Sequence, residues 1–375
     1  YRKLKSYFYY DNTSHFARKR IAEFESNLQF EDDSKESFKK GFTLAMSEIL
    51  LVVNKNKGWE KVWKKWLNED VDCVILPKSF SDHNSEGSSI MYVNNMANVK
   101  KTGVESVNAV IDAYVNIHLV CVLWLMRVGL GLSSLVDANN YAYRLATHED
   151  DEEEKEIDNG LSIYKPYFIG YQSWRDNALR KAKSLLNEKK DVAIVSLDIK
   201  RYFYSSRVNV EELVRELSSR DEITIDPDNE DVKTLNALLN DIHKAYSEKV
   251  QIYVEEAGVD GERYSIPVGL MSSGIIGNLY LEHFDNNVID NIRPDYYGRY
   301  VDDTIFVFSN IKVDSPEEFV DKMFCDKACA LLTKSGNDYL IQGYQNLKLQ
   351  SSKIVLEYFE HTGSSALIDK FMHTI

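Results

Sequence analysis

Two adjacent aspartates, Asp302 and Asp303, stand between two runs of strand-forming residues in the segment GRYVDDTIFVF (298–308). The β-branched and aromatic residues on either side predict a hairpin with Asp302 and Asp303 at its turn. Asn-Gly or Asp-Gly is usual in a two-residue turn, and a second aspartate adds like-charge repulsion. The pair is therefore unfavourable unless a cation lies beside it. The alternative is a solvated acidic turn.

A third carboxylate, Asp198, directly follows the apolar run VAIVSL, which is typical of a strand buried on both faces. A carboxylate at that exit is costly unless it is hydrated or bound to a metal. If this strand neighbours the hairpin, three carboxylates converge at one sheet edge. Such an all-oxygen set suits Mg²⁺ or Mn²⁺ and metal-assisted phosphoryl transfer. Alternatively, Asp198 simply ends a strand.

The elements that must position these carboxylates suggest an α+β protein with helices on one face of an antiparallel sheet. Residues 1–135 are predicted to be mostly helical, with a loop at 79–89 and one or two apolar helices at 104–129. The first amphipathic helix has three candidate caps, namely Asn12, Thr13 and Ser14.

The remaining chain alternates strands and helices. The acidic run at 148–158 is predicted to be a solvated loop, and a region at about 207–262 carries two helical segments. A later helix has clear signals at both ends: Ser315 as cap, Pro316 at the first position, Glu318 closing a capping box and Gly336 at the end.

Composition narrows the classes of partner. The 375 residues include 59 acidic and 45 basic side chains, for a net charge of −14. This sign argues against strong, sequence-independent binding of duplexes but allows local basic patches. The first residue is Tyr1 and no signal peptide is evident, so we expect the natural chain to begin upstream.

The most apolar stretch, 117–126, is much shorter than the roughly 20 residues of a membrane span, so we predict a buried helix in a cytoplasmic protein without membrane contact. The four cysteines are predicted to be buried thiols in a reducing compartment. A zinc site at Cys325 and Cys329 is the less favoured alternative, since no partner pair stands nearby.

Three segments, in this order, resemble the palm motifs of reverse transcriptases: Asp198 with Phe203 five residues later, PVGLMSSGIIGN at 267–278, and YVDD at 300–303. The resemblance runs from about Tyr141 to the end. It implies a right-hand polymerase with a helical N-terminal region at 1–135, a fingers-like region at 136–190 and a palm at 191–375. No thumb is evident before Ile375, so a longer natural chain is expected.

The resemblance also implies roles for single residues. Asp198 and Asp302, with the backbone carbonyl of Ile199, would hold two Mg²⁺ or Mn²⁺ ions, and Asp303 would support them. Phe203 would lie under the incoming sugar and reject a 2′-hydroxyl, which favours dNTPs. Its alternative role is ordinary core packing.

Further matches concern the nucleotide. Gly269 would allow close approach of backbone to nucleotide or template, and Ser273 and Asn278 match small and amide positions of the family. Asn278 could instead satisfy buried backbone groups. Lys353 would lie near the triphosphate, although a solvated lysine is the alternative. Arg175 and Arg180 would clamp the triphosphate, with Arg144 as a third candidate.

Two departures from the family pattern are Val268 in place of the usual glutamine and Gly274 in place of the usual proline. With no RNase H, endonuclease or integrase evident, the chain looks most similar to the prokaryotic defence-associated reverse transcriptases, including the AbiK-like abortive-infection group. That similarity implies phage defence, homo-oligomers, DNA synthesis that can be untemplated, and a protein primer that leaves the DNA product attached.

Other functions remain open at this point. The first is a conventional reverse transcriptase with an RNA template, and the second is a non-catalytic palm that binds a non-coding RNA or assembles a complex. The intact set Asp198, Asp302 and Asp303 argues against the second. An RNA polymerase or another nucleotidyltransferase is a third, and Phe203 argues against it.

Overall fold

The computed structural model describes residues 1–11, 14–28, 35–80, 104–136, 139–149, 155–157, 160–220, 223–312, 315–325, 331–363 and 368. Within these ranges the chain is a mixture of helices and small antiparallel sheets, as the α+β prediction requires. The N-terminal region begins with four helices: α1 (Arg2–Ser6), α2 (His15–Asn27), α3 (Lys35–Val53) and α4 (Trp59–Glu69). Ser14 caps α2 by accepting a hydrogen bond from the Ala17 amide, whereas Asn12 and Thr13 lie outside the described residues.

A long β-hairpin then interrupts the helices. Strands β1 (Val71–Phe80) and β2 (Val104–Ala113) pair antiparallel, with Val71 opposite Ala113. The prediction of helix from residue 104 is therefore wrong for its first half, and so is the start of the loop predicted at 79–89. The physical reason is a period of two: Ala109, Ile111 and Ala113 are buried, and the residues between them are less so. Residues 81–103 lie outside the described ranges.

The apolar stretch forms a core helix, as predicted. Helix α5 (Val115–Trp124) is buried along almost all of its length, and the helical run continues through α6 (Leu130–Leu132) to Leu135. By length and composition, 115–135 alone among the described helices could cross a membrane, but 72% of its apolar window is buried inside the protein. Its neighbours, not lipid, therefore account for its apolar character.

The rest of the chain contributes seven helices and eleven strands within the described ranges. They are β3 (Thr147–Glu149), β4 (Lys155–Ile157), α7 (Tyr167–Asn187), β5 (Val192–Asp198), α8 (Tyr202–Ser205), α9 (Val210–Leu217), α10 (Glu230–Val250), β6 (Val259–Asp260), β7 (Arg263–Tyr264), α11 (Ser273–Tyr280), α12 (Glu282–Asn287), β8 (Tyr296–Tyr300), β9 (Asp303–Ser309), α13 (Pro316–Val320), β10 (Leu332–Ser335), β11 (Asp338–Ile341), β12 (Lys348–Gln350) and β13 (Val355–Phe359).

The central sheet has four antiparallel strands in the order β13–β5–β9–β8. The prediction of helices on one face is wrong, because both faces are covered. Helix α7 packs through Trp174 and Leu179 onto one face, which includes Ile194. The opposite face, which includes Val195, packs against α12, α13 and the helical turns that follow them, for example through Phe284. The uninterrupted apolar run of β5 reflects this double burial.

Two further expectations need correction. Ser315 and Pro316 do begin α13, with the Ser315 hydroxyl accepting from the Glu318 amide. However, the chain is extended from Leu332, and Gly336 lies in the turn between β10 and β11 rather than at a helix end. The flanks of the acidic run at 148–158 pair as the strands β3 and β4, and its centre lies outside the described residues.

Cys73 and Cys121 are free thiols. Cys121 is buried, as predicted, whereas Cys73 and Cys325 are only half-buried. Cys329 lies outside the described ranges, so the zinc alternative at Cys325 and Cys329 stays untested.

Candidate active site

The register of the central sheet brings the carboxylates to one edge. Strands β5 and β9 pair so that Asp198 lies opposite Asp303, and the Ile199 amide donates to the Asp302 carbonyl at 3.3 Å. Because side chains alternate along a strand, Asp198 and Asp303 share the face that carries Ile194 and α7. The predicted convergence of the three aspartates is therefore present in the backbone.

The hairpin loop differs by one residue from the prediction. Tyr300 pairs with Asp303, so the two-residue loop is Val301–Asp302, and Asp303 begins β9. Val301 has a φ of +61°, a conformation that costs a β-branched residue about 1–3 kcal/mol and usually belongs to glycine. The surrounding structure must therefore hold this loop in place.

Arg299 is the residue that does so. Its side chain is fully buried, and Nη1 donates to the Val301 carbonyl at 2.9 Å. Its Nε donates to Asp285 Oδ1 at 2.7 Å, so the guanidinium charge is paired inside the protein. Tyr297 donates a second hydrogen bond to the same carboxylate oxygen. The loop thus rests on a buried ion pair that α12 and β8 supply together.

The surroundings of Asp302 and Asp303 oppose the ionisation of these two carboxyl groups. Burial, and then repulsion from Asp303 and Asp198, raises the pKa of Asp302 to about 7. Burial, followed by the charge of Asp198, also raises the pKa of Asp303. Neither carboxylate has a side-chain partner among the described residues. Together they form an anionic centre that lacks a sufficient counter-charge.

Lys353 supplies the one counter-charge that the described residues bring to this edge. Its Nζ lies 2.8 Å from Asp198 Oδ1, although the lysine side chain is 47% exposed. This ion pair places Lys353 at the carboxylates, close to where the resemblance predicts a triphosphate. An exposed ammonium is free to leave, since such pairs contribute at most about 1 kcal/mol.

No three His, Cys, Asp or Glu side chains in the described ranges stand together as a ready metal-binding group. The donor chemistry nevertheless fits Mg²⁺ or Mn²⁺, because Asp198, Asp302 and Asp303 offer only hard oxygens. Two of these carboxylates lack side-chain partners and have raised pKa values, and a cation would remove both penalties.

The predicted sugar and backbone residues lie together in a cavity of about 210 Å³, which Phe203, Gly269 and Ser273 help to line. Phe203 is half-buried and lies on α8. The β1–β2 hairpin covers this cavity, because the amide of Ile111 in β2 donates a hydrogen bond to the Val268 carbonyl at 2.8 Å. Gly269, at φ +93°, lies so close to Val110 that a Cβ there would be 2.9 Å from Val110 Cγ1.

Ser273 and Asn278 are both buried and already hydrogen-bonded. The Ser273 hydroxyl donates to the Pro267 carbonyl at 2.5 Å, and Asn278 Nδ2 donates to the Ala142 carbonyl at 2.8 Å. These bonds favour the alternative role for Asn278, which is the satisfaction of buried backbone groups.

A larger cavity of about 910 Å³ lies beside the loop and is bounded by the N-terminal turn of α7, the segment 140–144 and Tyr300. Arg144 and Lys165 line it, whereas Arg175 and Arg180 do not. Arg175 pairs instead with Asp176 at 3.4 Å, and Arg180 is exposed. Arg144, the third candidate, therefore lies at this cavity, where its Nη1 donates to the Val136 and Asn140 carbonyls at 3.1 Å.

Sequence reasoning missed several residues of this site. Arg299 and Asp285 lie 14 positions apart, and only the fold shows that they pair. Tyr143 has its ring packed over Gly274, where a Cβ would overlap it, and this explains why glycine stands there. The density of tyrosines in NNYAYR and YKPYFIGY was an available signal for the large cavity.

The buried ion pair predicts a specific loss and rescue. Arg299→Met should lower the free energy of unfolding by about 3–5 kcal/mol, because Asp285 is left charged and unpaired. Adding Asp285→Asn should recover at least half of that loss. Urea denaturation of both variants measures this. Unchanged stability of the single variant would contradict the assigned role of the pair.

The Asp302→Asn variant tests how the stability of the fold depends on pH and on a bound metal. Since the folded pKa of about 7 exceeds the unfolded value of about 4, ionisation of Asp302 destabilises the fold as pH rises from about 4 to 7. Without metal, the variant should therefore become more stable than the parent across that window, by about 4 kcal/mol at pH 8, since each pH unit of the window contributes about 1.4 kcal/mol.

Added Mg²⁺ should reverse the order, since only the parent has the full carboxylate set. Thermal melts with EDTA or Mg²⁺ provide the measurement. Melting temperatures that are independent of pH and of Mg²⁺ in the parent would argue against the site.

Comparisons with known proteins leave the chain unassigned. No protein-family model matches it, and no curated protein matches it either. The functional conclusion therefore depends on the geometry of this edge of the sheet and on the motif resemblance alone.

Proposed function

We propose that the chain is a metal-dependent DNA polymerase of the reverse-transcriptase type, with the central sheet as its palm. The observation that carries the proposal is the placement of Asp198 opposite Asp303, beside a strained loop that presents Asp302. Strained backbone and raised carboxylate pKa values are typical of functional sites. A solvated acidic turn would need neither the buried Arg299 nor the ion pair between Lys353 and Asp198.

In this proposal the residues have separate tasks. Asp198 and Asp302, with the Ile199 carbonyl, would hold Mg²⁺ or Mn²⁺, and Asp303 would add negative charge. Divalent cations held there would stabilise the attacking and leaving oxygens during nucleotidyl transfer. Lys353 would leave Asp198 and neutralise the triphosphate. Arg299 would keep the loop from moving as charge accumulates.

The motif resemblance extends the proposal to biology. Within it, the chain takes part in prokaryotic antiphage defence, acts in the cytoplasm as a homo-oligomer and uses dNTPs with or without an RNA template. The β1–β2 hairpin covers Val268 and Gly269, and this agrees with limited access of a template duplex to these residues. The acidic net charge agrees with weak duplex binding.

The decisive activity test uses each labelled dNTP singly with purified, nucleic-acid-free protein and Mg²⁺, with and without RNA template. Asp302→Ala should reduce synthesis by at least a hundredfold, because the carboxylate set is broken. Asp260→Ala, which removes an exposed aspartate from β6, is the matched control and should keep full activity. Protease treatment of the product before electrophoresis reveals DNA that is attached to protein.

Product without template supports untemplated synthesis, and product only with a matching RNA supports a conventional reverse transcriptase. Synthesis by Asp302→Ala near the parent level would refute the metal assignment. No product from the parent under any of these conditions would favour the RNA-binding or assembly role.

Phe203→Ala tests the choice of sugar. If the ring blocks a 2′-hydroxyl, its removal should raise the efficiency of ribonucleotide use relative to dNTPs by about tenfold, equivalent to about 1.4 kcal/mol. The ratio of kcat/KM for the two sugars is the measurement, with a thermal melt in parallel. Equal losses with both sugars would instead assign Phe203 to core packing.

A further inference from the structure

The cavity of about 910 Å³ beside the Val301–Asp302 loop has an unusual wall. Its aromatic lining consists of tyrosines, namely Tyr7, Tyr141, Tyr143, Tyr164, Tyr167 and Tyr300, with Tyr10 at the rim. Several rings meet edge to face: Tyr143 and Tyr164 have centroids 5.6 Å apart at 74°. The Tyr167 side chain, by contrast, is 64% exposed, so its ring is accessible to a planar ligand.

Two polar side-chain atoms of this wall have no hydrogen-bond partner among the described residues. Asn140 is 2% exposed and lines the cavity, and its Nδ2 has no hydrogen-bond partner among the described residues, although its Oδ1 accepts from the Ala142 amide at 3.2 Å. Asp11 also lines the cavity, and its Oδ2 is likewise without a partner in the described chain. An unsatisfied buried donor destabilises the fold, and a hydrogen-bond acceptor on a ligand would remove that cost.

The charge around the cavity differs from that of the chain. Lys165 and Arg144 line it with Asp11 as the one described carboxylate, whereas the whole chain carries −14. Tyr300, which lines the cavity, pairs with Asp303 at the carboxylate edge. A ligand in the cavity can therefore have an anionic group near the basic residues and the candidate metal site.

We infer that this cavity is a nucleobase pocket, in which one unpaired base stacks on tyrosine and is read by Asn140 and Asp11. Flat aromatic rings with both a hydrogen-bond donor and an acceptor match the faces and edges of a base. The volume suits a nucleotide-sized ligand. Protein side chains would then influence which base is used, a task that normally belongs to a template.

This inference rests on the proposed function for the source of the base, which is either a free dNTP or a single-stranded nucleic acid. Two probes separate the sources: 2-aminopurine deoxyribonucleoside triphosphate, and a single-stranded oligonucleotide with one 2-aminopurine. Stacking quenches the fluorescence of 2-aminopurine, so titration with full-length protein reports binding without any need for catalysis. Ca²⁺ replaces Mg²⁺ to slow turnover.

Two variants test the wall, each with a matched control. Asn140→Asp keeps the Oδ1 acceptor and removes the unpartnered donor, and Asn291→Asp makes the same change at an exposed site. Tyr167→Ser removes an exposed ring of the cavity, and Tyr253→Ser removes an exposed ring elsewhere. Because Tyr167 is 64% exposed, that variant should fold even if Asn140→Asp does not.

We expect parent and control proteins to quench at least one probe and both cavity variants to bind it about tenfold more weakly, equivalent to about 1.4 kcal/mol. Which probe is quenched identifies the source. Absence of quenching, or equal affinity of parent and Tyr167→Ser, overturns the pocket, even if DNA synthesis is intact. Quenching that both cavity variants weaken, without any DNA synthesis, would support the nucleobase pocket and contradict the proposed polymerase activity.

Discussion

The buried guanidinium of Arg299 is the constraint on which the carboxylate edge depends. It satisfies Asp285 and, through the same planar group, the carbonyl of Val301. A β-branched residue with positive φ would otherwise relax, and the loop would no longer present Asp302 beside the strand that ends in Asp198. A buried ion pair thus stabilises a strained loop at the edge of the central sheet, at a cost that a simple hairpin would not require.

Part of this arrangement could be predicted from local sequence. The apolar run before Asp198 and the alternation around the aspartate pair identify two strands, and their pairing needs only that they be neighbours. The position of the loop was off by one residue, because turn preferences give no reason to place Val301 at positive φ. A long-range interaction overrides the local preference there, and single-sequence patterns do not encode which arginine lies beneath a loop.

Residues 104–113 of the N-terminal region also show that local sequence patterns do not determine long-range contacts. Residues 104–113 look like a continuation of an apolar helix, yet they pair with β1 and cover Val268. Tyr204 of α8 and Tyr246 of α10 form hydrogen bonds with the backbone of Ala109, so side chains distant in sequence fix a strand that local propensity leaves ambiguous. Residues 110–113 of β2 line the small cavity at Phe203, and Tyr7 and Tyr143 line both this cavity and the larger tyrosine-lined one.

The most direct test of the central claim is an anomalous difference map from crystals grown with Mn²⁺ and a non-hydrolysable deoxynucleotide. The account predicts at least one strong peak within coordination distance of Asp198 and Asp302, about 2.0–2.3 Å, with Lys353 displaced from Asp198. No peak at this edge, with Lys353 still paired to Asp198 at saturating Mn²⁺, would contradict it.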